Sequence, residues 1–512
     1  MRIFLSIVLV LSFLFCKGQD SLSALQAGKL RGILNSNGLQ FDSLGNAGLL
    51  SNKLLSLCQR SGVWMSANDG AGQLRVSAHD VIGNNHEFWP GPLSIGANQA
   101  AETKDWNKVY KITKAEVESH KSNFNKQNYY LPDNMRNWPA NANPPFAKIL
   151  APFVDYQTND QVYRPAQGDY PYFKGDQLLY SIANDVYGPH DLSGALPLGI
   201  ELHTLMYKFN SKDSVLKDAI LIKYYVFNRS NNNYNNFRFS QIINFKIGSI
   251  NNEFLGTDIK NNVFFAYNDT SEATFSNKLV SLGCMTINRP ISSTIYFNND
   301  NDAINGLPSV SLHFQNYQQA KWKNNSNMSY GSNGVDGNGV AKFVYPFKTD
   351  NNNSNLLWSE ESVGNTSGKR QGVLNFEPIV LPSNTAAAFE CVFFSVESNK
   401  FDIQQMDSTC KKLNNALKIQ NVLDITKNVQ NINNKFSFYP NILNSGEKMT
   451  FSGNIKMTQF YILYDLMGRR VLEFNLDETK NSINLPHYLK PGMYLIKSRD
   501  LNNNFSFKII VE

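Results

Sequence analysis

Two pairs of acidic residues and histidines have the residue types needed for proton transfer. Glu201 and His203 stand two positions apart in an apolar segment typical of a strand, so their side chains share one face. They could form a general acid/base couple or a structural ion pair, and the second role is the more common one. His86 and Glu87 lie in loop-like sequence. Neither pair has the spacing of a zinc peptidase, which requires two histidines one helical turn apart with a glutamate between them.

Two other segments resemble ligand-binding loops only superficially. Gly364–Lys369 lacks one residue of a phosphate-binding loop and is followed by Arg370, so it predicts a surface turn. Asn298–Asp302 carries alternating oxygen side chains, but it has neither the glycine spacing nor the distal glutamate of a calcium loop. We predict a solvated turn there. No Gly-x-Ser-x-Gly sequence, which would mark a nucleophilic serine, is present. Taken with the motifs above, the sequence predicts no metal site and no cofactor, and we identify no catalytic residue.

Aromatic residues in segments rich in proline and glycine are a further chemical resource, namely Trp89, Trp138, Tyr170, Tyr172 and Phe173. Exposed rings could stack on the apolar faces of sugars while neighbouring amides bind the hydroxyl groups. The alternative, which we favour, is that they close the loops over the core. A polymer-degrading enzyme would in addition need two carboxyl groups about 5 to 10 Å apart in one aromatic cleft. The candidates for that role are Asp155, Asp169, Asp176 and Glu201.

Short segments rich in aromatic and β-branched residues must position these groups. They are separated by Asn-rich turns such as 231–233 and 351–353. The predicted strands are Leu178–Ile182, Leu198–Phe209, Ala219–Asn228, Phe237–Ile247, Val263–Tyr267, Thr294–Phe297, Val373–Val380 and Ala388–Val396. This spacing predicts a mainly β protein with a multidomain β-sandwich body. Helical periodicity is weaker and predicts helices over Leu22–Leu34, Lys114–His120 and Ile403–Leu417.

The start of the chain has the pattern of a secretory signal. Arg2 precedes an apolar run, Ile3–Phe15, and small residues predict cleavage between Gly18 and Gln19. Cys16 raises the alternative of a lipoprotein, but Phe15 stands where such a site has a small residue. The run is shorter than the roughly 20 residues of a membrane span. We therefore expect the signal at 1–18 and no integral membrane segment after processing.

The remaining organisation follows from composition. Residues 19–420 form the body, expected to contain two subdomains with strands densest in 175–400; 421–434 form a polar linker and 435–512 a small domain. The formal net charge is only +6 and the lysines are scattered, which argues against a nucleic-acid partner. After processing, Cys58, Cys284, Cys391 and Cys410 remain. Isolated buried thiols are one interpretation; if a disulfide forms, we expect Cys391 with Cys410, the pair closest in sequence.

Residues 435–512 contain seven short predicted strands, typical of an Ig-like sandwich. Their motifs, Phe438–Asn441, Tyr464–Val471, Leu489–Ile496 and Lys508–Glu512, resemble the type A sorting domain of the type IX secretion system of Bacteroidetes. Ile442 departs from the family, which usually has a second proline there. The motif residues are Pro440, Asn441, Asp465, Gly468, Arg469, Leu489, Gly492, Tyr494 and Lys508.

This resemblance implies export in two steps. The Sec translocon and signal peptidase would act first, and the type IX machinery would then deliver the protein to the outer cell surface or the medium and usually remove the domain. Gly468 and Pro491-Gly492 fit turns, while Val471, Tyr494 and Ile510 are expected in the core.

Most of residues 40–420 resembles a group of large secreted proteins of the same bacteria. The motifs that carry the likeness include Gly62–Met65, Glu87–Leu93, Leu150–Tyr156, Gly168–Pro171 and Pro197–Glu201. This resemblance implies location and architecture but no reaction. The sequence thus favours a secreted, non-enzymatic body with an adhesive or structural role. The alternative is a secreted protein that binds or degrades polysaccharide, with a surface glycan as its ligand.

Overall fold

The computed structural model describes residues 21–44, 46–51, 54–147, 150–156, 162–249, 251–353, 355–420, 437–439, 442–452, 459–465, 469–476, 482–498 and 506–511. Gly18, Gln19, the linker at 421–434, Pro440, Asn441 and Gly468 lie outside these residues. The chain divides into two compact units, 1–417 and 418–512.

The first unit contains 22 strands among its described residues. They are β1 Leu22–Ala27, β2 Leu30–Asn35, β3 Asp42–Ser43, β4 Asn46–Ala47, β5 Leu49–Ser51, β6 Ser56–Asn68, β7 Leu74–Ala78, β8 Trp89–Pro90, β9 Tyr110–Thr113, β10 Phe153–Val154, β11 Tyr170–Pro171, β12 Gln177–Asn184, β13 Ile200–Lys208, β14 Ala219–Asn228, β15 Tyr234–Phe245, β16 Glu253–Asp258, β17 Val263–Asn268, β18 Leu279–Thr286, β19 Ile291–Phe297, β20 Gln371–Phe376, β21 Ile379–Leu381 and β22 Ala386–Ser398.

Two nine-stranded antiparallel sheets account for most of these strands. The first sheet follows the order β1-β2-β5-β6-β15-β20-β19, with β7 on β6 and β21 on β15. The second follows β16-β17-β18-β22-β14-β13-β12-β8, with β9 on β12. The sheets pack face to face: Phe239 of the first stacks on Phe389 of the second with ring centroids 4.0 Å apart. The mainly β sandwich predicted from the sequence is confirmed.

One hydrophobic core fills the space between the two sheets. Strand alternation sends Tyr224 and Val226 of β14 inward, where both are fully buried. The core also holds a polar contact, because the Tyr224 hydroxyl donates to Gln241 Oε1 at 2.6 Å across the sheets. Gly372 of β20 leaves room for Phe264, which would lie 2.2 Å from an added Cβ at that position. The sandwich therefore depends on close complementarity between its faces.

Six α-helices are present among the described residues: α1 Thr103–Trp106, α2 Lys114–Asn123, α3 Asp133–Arg136, α4 Ser214–Lys217, α5 Ser311–Gln318 and α6 Ile403–Ile419. Short 3₁₀ turns occur at Pro165–Gln167, Ala273–Phe275, Asn351–Asn353 and Glu361–Val363. The predicted helices near Lys114 and Ile403 are confirmed as α2 and α6. A capping box of Thr113 and Glu116 starts α2. Met406, Cys410, Leu413 and Leu417 form the buried stripe of α6.

The predicted helix over Leu22–Leu34 is wrong, because this segment is the hairpin of β1 and β2. Gly28 turns the chain with a φ of +53°, and a Cβ there would meet the Asp218 carboxylate. The apolar residues on either side then pack into the sandwich core as strand residues. No helix of the described residues is long and apolar enough to cross a bilayer.

The second unit has eight strands among its described residues: β23 Ser437–Tyr439, β24 Ile442–Leu443, β25 Lys448–Ser452, β26 Gln459–Asp465, β27 Arg470–Leu476, β28 Ser482–Asn484, β29 Gly492–Ser498 and β30 Ser506–Val511. They form a three-stranded sheet, β23-β25-β28, and a five-stranded sheet, β24-β30-β29-β26-β27. Tyr461, Leu463, Tyr494 and Ile496 belong to its core. Only β24, which runs parallel to β30, has no counterpart among the predicted strands.

Candidate functional site

Glu201 and His203, the acid/histidine pair found in the sequence, lie on the outer face of β13. His203 Nε2 donates to Glu201 Oε1 at 3.0 Å. The same oxygen accepts from Arg229 Nη2 at 2.6 Å, and Glu201 Oε2 accepts from the Leu93 backbone N–H at 2.8 Å. On its other side, His203 Nδ1 is hydrogen-bonded to the Tyr180 hydroxyl at 2.7 Å. We call these four side chains, Arg229, Glu201, His203 and Tyr180, the polar relay.

Three members of the polar relay are closed to solvent, and Arg229 is half-buried. Glu201 and Tyr180 are fully buried and His203 is only 1% exposed. Burial alone would raise the pKa of Glu201, but the hydrogen bond and charge of His203, together with Arg229, outweigh it and lower the pKa to about 2. Both nitrogens of His203 have protein partners. The pair therefore has the geometry of an acid/base couple without access to a substrate, and its partners make it a structural ion network.

A second buried network surrounds Glu87, one member of the other predicted pair. His86 is exposed, whereas Glu87 is fully buried and accepts from the Ser193 backbone N–H at 2.6 Å and from the Ala78 N–H at 2.9 Å. His190 Nδ1 lies 3.4 Å from Glu87 Oε2. The two residues that the sequence placed together thus point to different surroundings.

His190 is held as an imidazolium by its acceptors. Nδ1 lies 2.8 Å from the Val76 carbonyl oxygen, and Nε2 lies 2.7 Å from the Asp185 carbonyl oxygen. Carbonyl oxygens only accept, so both ring nitrogens must carry a proton. Burial alone would lower the pKa of His190, but the contact with Glu87 and the charges of Asp185 and Glu87 raise it to about 9.

The carboxylates proposed for polymer cleavage lie in different surroundings. Asp169 is 2% exposed and accepts from the backbone N–H groups of Tyr156 and Arg164 at 2.8 and 2.6 Å. Asp155, which precedes Tyr156 in the chain, is half-buried. Asp176 lines a separate 510 Å³ groove beside α2, and no aromatic ring is among the described residues that line that groove. Glu201 belongs to the closed polar relay.

The two loop-like motifs are turns that use their own polar groups. In Asn298–Asp302, Asp302 Oδ1 accepts from the backbone N–H groups of Ile304 and Asn305 at 2.7 and 3.0 Å. In Gly364–Lys369, the Gly368 N–H donates to the Glu253 carbonyl oxygen at 3.1 Å, which ties the segment to β16. Within the described part of the chain, no group of three or more His, Cys, Asp or Glu side chains could hold a metal ion.

The five loop aromatics separate into core and surface positions. Trp138 is 4% exposed, packs at a tilt against Tyr180 and donates its Nε1–H to the Pro152 carbonyl oxygen at 3.1 Å. Trp89, Tyr170 and Phe173 are half-buried, whereas Tyr172 is 54% exposed. Most of these rings therefore close loops over the sandwich, as the favoured interpretation expected. Tyr172 is the member available to a ligand.

Two exposed tyrosines that were not predicted from the sequence lie in the same stretch of the chain as Tyr172, between residues 130 and 172. Tyr130 is 70% exposed and Tyr156 is 54% exposed. We call Tyr130, Tyr156 and Tyr172 the tyrosine surface. The exposure of these rings depends on loop geometry. The sequence signals it only for Tyr130, which lies in the segment Tyr129-Tyr130-Leu131-Pro132 after a run of polar residues.

Contacts with neighbouring residues hold Tyr156 and Tyr172 in place. The Tyr156 ring packs edge-on against Phe124, with centroids 5.3 Å apart, and its N–H donates to Asp169. The Tyr172 N–H donates to the Pro152 carbonyl oxygen at 3.1 Å. Arg136 lies over the Tyr130 ring at 5.6 Å. The backbones at Tyr156 and Tyr172 are therefore held by hydrogen bonds, whereas the Tyr130 contact with Arg136 lies at the surface.

The four thiols of the body are free and buried. Cys391 lies on β22, where its thiol contacts Cys284 of β18, while Cys410 is on the buried face of α6. The structure therefore leaves Cys391 and Cys410 unlinked, in contrast to the pairing expected from their spacing. Burial raises the pKa of the Cys58, Cys284 and Cys410 thiols, which suppresses thiolate formation.

The second unit brings together two residues of the C-terminal motif. Arg469 Nε lies 2.6 Å from Asp465 Oδ2, and the Arg469 N–H donates to Asp465 Oδ1 at 2.9 Å. Because Asp465 N–H also donates to the Arg469 carbonyl oxygen at 3.0 Å, the pair closes the turn between β26 and β27. Leu489 and Tyr494 are buried, Gly492 begins β29 and Lys508 lies within β30. Val471 packs against the core.

The comparisons with known proteins identify the C-terminal unit. Residues 437–512 match the family described as the secretion system C-terminal sorting domain. No curated protein sequence matches the chain. Among solved structures, a polysaccharide lyase is similar at 8% identity and a TM-score of 0.20, over 65% of this chain and 39% of the lyase. A biofilm-associated protein, BSP domain, is similar at 7% identity and a TM-score of 0.15, over 96% of this chain and 80% of that one. Both scores are too low to indicate a shared fold.

Proposed function

Starting from the sorting domain, which marks this chain as type IX secretion cargo delivered to the cell surface or the medium, we propose that the body is a non-enzymatic adhesive module. Its contact surface is the tyrosine surface, and its ligand is a polysaccharide outside the cell. The single observation that supports this proposal is the exposure of Tyr130, Tyr156 and Tyr172, each of which is more than half accessible.

The chemistry of tyrosine suits this role. Each ring offers an apolar face that can stack on a sugar and a hydroxyl group that can exchange hydrogen bonds with the sugar hydroxyls. Because Asp169, Phe124 and Pro152 hold Tyr156 and Tyr172, little backbone entropy is lost at these two residues on binding. By contrast, the acid/histidine pair has no access to a substrate. This arrangement supports binding rather than turnover.

Affinity electrophoresis of the purified protein in gels that contain a panel of neutral and acidic polysaccharides tests the proposal. We expect retardation by at least one polymer, and loss of retardation in the triple variant Tyr130→Ser, Tyr156→Ser, Tyr172→Ser. Tyr187→Ser is the matched control, because Tyr187 is also exposed (43%) but lies on a different segment. Unchanged retardation of the triple variant, or release of soluble products from any polymer, contradicts the proposal.

The route of the first export step is part of the same proposal. Sec translocation and cleavage by signal peptidase between Gly18 and Gln19 would precede passage on the sorting domain. Mass spectrometry of the mature termini in fractionated native cells tests this step. A mature protein that begins at Gln19 agrees with it, whereas one that still carries Met1 or begins at an acylated Cys16 contradicts it.

A further inference from the structure

Strand β1 forms one end of the first sheet, and its outer edge is open. Among the residues that the structure describes, β1 pairs only with β2, over an unbroken register that contains no bulge. Its sequence, Leu-Ser-Ala-Leu-Gln-Ala, contains neither a charged residue nor a proline. Charges, prolines and bulges are the usual means by which proteins keep an edge strand from pairing with another chain. β1 has none of these features.

The strands at the other ends of the two large sheets are protected. In the first sheet, a loop covers β19, because the Thr294 N–H donates to the Lys342 carbonyl oxygen at 3.0 Å. In the second sheet, the Thr257 N–H of β16 likewise donates to the Tyr345 carbonyl oxygen at 3.0 Å. At the opposite end of that sheet, β8 is short and ends in a proline, and β9 carries the exposed Lys111. β1 is therefore the exception among these ends.

The backbone groups on the open edge belong to alternate residues of β1. The Ser36 N–H donates to the Ser21 carbonyl oxygen at 2.8 Å, so the odd-numbered residues of this segment hydrogen-bond toward β2. The N–H and C=O groups of Leu22, Ala24 and Gln26 therefore point away from β2. Within the described part of the chain, none of these backbone groups has a hydrogen-bond partner. The edge thus offers a row of alternating donors and acceptors.

This row is complementary to a second copy of itself. An antiparallel copy with its Ala24 opposite Ala24 would place Leu22 opposite Gln26 at both ends and would satisfy every open backbone group on both copies. In this register, the face of β1 that holds the buried Leu25 and Ala27 stays on the core side in each copy. No like charges are brought together, and the small side chain of Ala24 lies at the two-fold axis.

We propose that β1 is a homodimer interface, at which two copies of the chain pair edge to edge and join their first sheets into one continuous sheet. The occupant of the edge is a second copy because the open groups, the residue faces and the absence of charge all match under a two-fold axis, the commonest symmetry of homo-oligomers. One strand edge is a small contact, so we expect a reversible dimer that depends on protein concentration.

The interface does not depend on the proposed adhesive function, because strand pairing requires no polysaccharide. If both proposals hold, a dimer carries two tyrosine surfaces, which raises the overall affinity for a polymer with repeated units. Measurements of self-association without polysaccharide therefore test the interface alone.

Sedimentation velocity of the purified protein over about a hundredfold range of concentration tests the proposal. We expect monomer to convert to dimer as the concentration rises. Ala24→Lys places two ammonium groups directly opposite each other at the two-fold axis, so it should weaken dimerisation at least tenfold. Ala24→Glu should do the same through two carboxylates. An equimolar mixture of the two variants pairs lysine with glutamate, so it should form dimer again.

A control and a second measurement make the result specific. Val380→Lys adds the same charge at a strand residue that is 62% exposed on β21, and should leave dimerisation within twofold. Hydrogen exchange of the unaltered protein requires no substitution: the amide of Ala24 should exchange more slowly at concentrations that favour the dimer.

Three outcomes overturn the proposal. They are a protein that stays monomeric at every concentration, a dimer that persists in the folded Ala24→Lys variant, and a mixture of the lysine and glutamate variants that stays monomeric. Melting temperatures show whether each variant is folded. If neither variant folds, an Ala24 amide whose exchange does not slow with concentration overturns the proposal by itself.

Discussion

The polar relay and the tyrosine surface use similar side chains for opposite purposes. In the relay, Tyr180 and His203 are buried beside the ion pair of Glu201 and Arg229, and both nitrogens of the imidazole have protein partners. On the tyrosine surface, Tyr156 and Tyr172 are anchored by their backbones, and their rings face solvent. The difference teaches that residue types alone do not distinguish a reactive site from a structural network. The solvent exposure of the side chains distinguishes the two, and that exposure depends on which loop covers which strand.

The largest expected effect comes from breaking the relay. Glu201→Ala removes the carboxylate that pairs with Arg229 and His203, so it should lower the free energy of unfolding by about 3–5 kcal/mol. Urea unfolding followed by tryptophan fluorescence measures this loss in the body, because all six tryptophans lie between residues 64 and 358. Glu118→Ala, at an ion pair on the surface, should cost less than about 0.5 kcal/mol. Equal costs for the two variants would contradict the contrast between sealed and exposed groups.

The second effect is a fall in stability at alkaline pH. The pKa of His190 is about 9 in the folded protein, against about 6.5 when unfolded. The stabilising charge is fully present below pH 6.5 and is lost as the pH rises through 9, at a cost of about 2–3 kcal/mol. Unfolding experiments from pH 6 to 9.5 should show this fall. The variant His190→Gln should have a lower free energy of unfolding at pH 6, and that free energy should change less over this range. If its pH dependence equals that of the unaltered protein, His190 is not the group responsible.

A third effect should raise stability. Glu253 is fully buried, its Oε2 has no hydrogen-bond partner among the described residues, and burial raises its pKa to about 8. An unfolded glutamate ionises near pH 4.5, so folding is penalised increasingly from pH 4.5 up to about 8. Glu253→Gln should therefore stabilise the body by about 2 kcal/mol at pH 7.5 and by much less at pH 4.5. Glu118→Gln, at an exposed site, should have little effect at either pH. A gain that does not depend on pH would contradict the explanation.

The smallest expected effect on stability concerns the tyrosine surface. Tyr172→Ser changes a ring that is 54% exposed, so the free energy of unfolding should stay within about 0.5 kcal/mol of the unaltered protein. The same variant should weaken retention on the polysaccharide that the tyrosine surface binds. A large loss of stability would mean that the ring is part of the core packing and would remove the basis for a contact surface.

Much of the fold could be predicted from local patterns in the sequence. Alternation in Phe460–Tyr464 and the spacing of turns correctly predicted most strands of the sorting domain, because each small strand has one buried face. The strand from Ala219 to Asn228 was predicted with its observed bounds. Leu22–Leu34 failed because its apolar residues fit a helical period as well as a hairpin, and only the turn at Gly28 separates the two.

The candidate sites were less predictable for a physical reason. The acid/histidine pair was found from its spacing, but its seal depends on Leu93 and Arg229, which are far away in sequence and reach it only through the tertiary fold. Likewise, Trp138 and Tyr172 occur in similar loop sequence, yet one ring is buried and the other exposed. The pairing of Phe227 with Ala386 is likewise a register that no local pattern specifies.

The pairing of β14 with β22 also constrains when the body can acquire its shape. Residues 219–227 pair with residues 386–394, and β6 pairs with β15, which begins only at Tyr234. Such distant pairings slow folding and leave strand edges uncovered in any shorter nascent chain. Nearly four hundred residues must therefore be made before the second sheet can close. Until then, its unfinished strand edges are open to pairing with one another or with other chains.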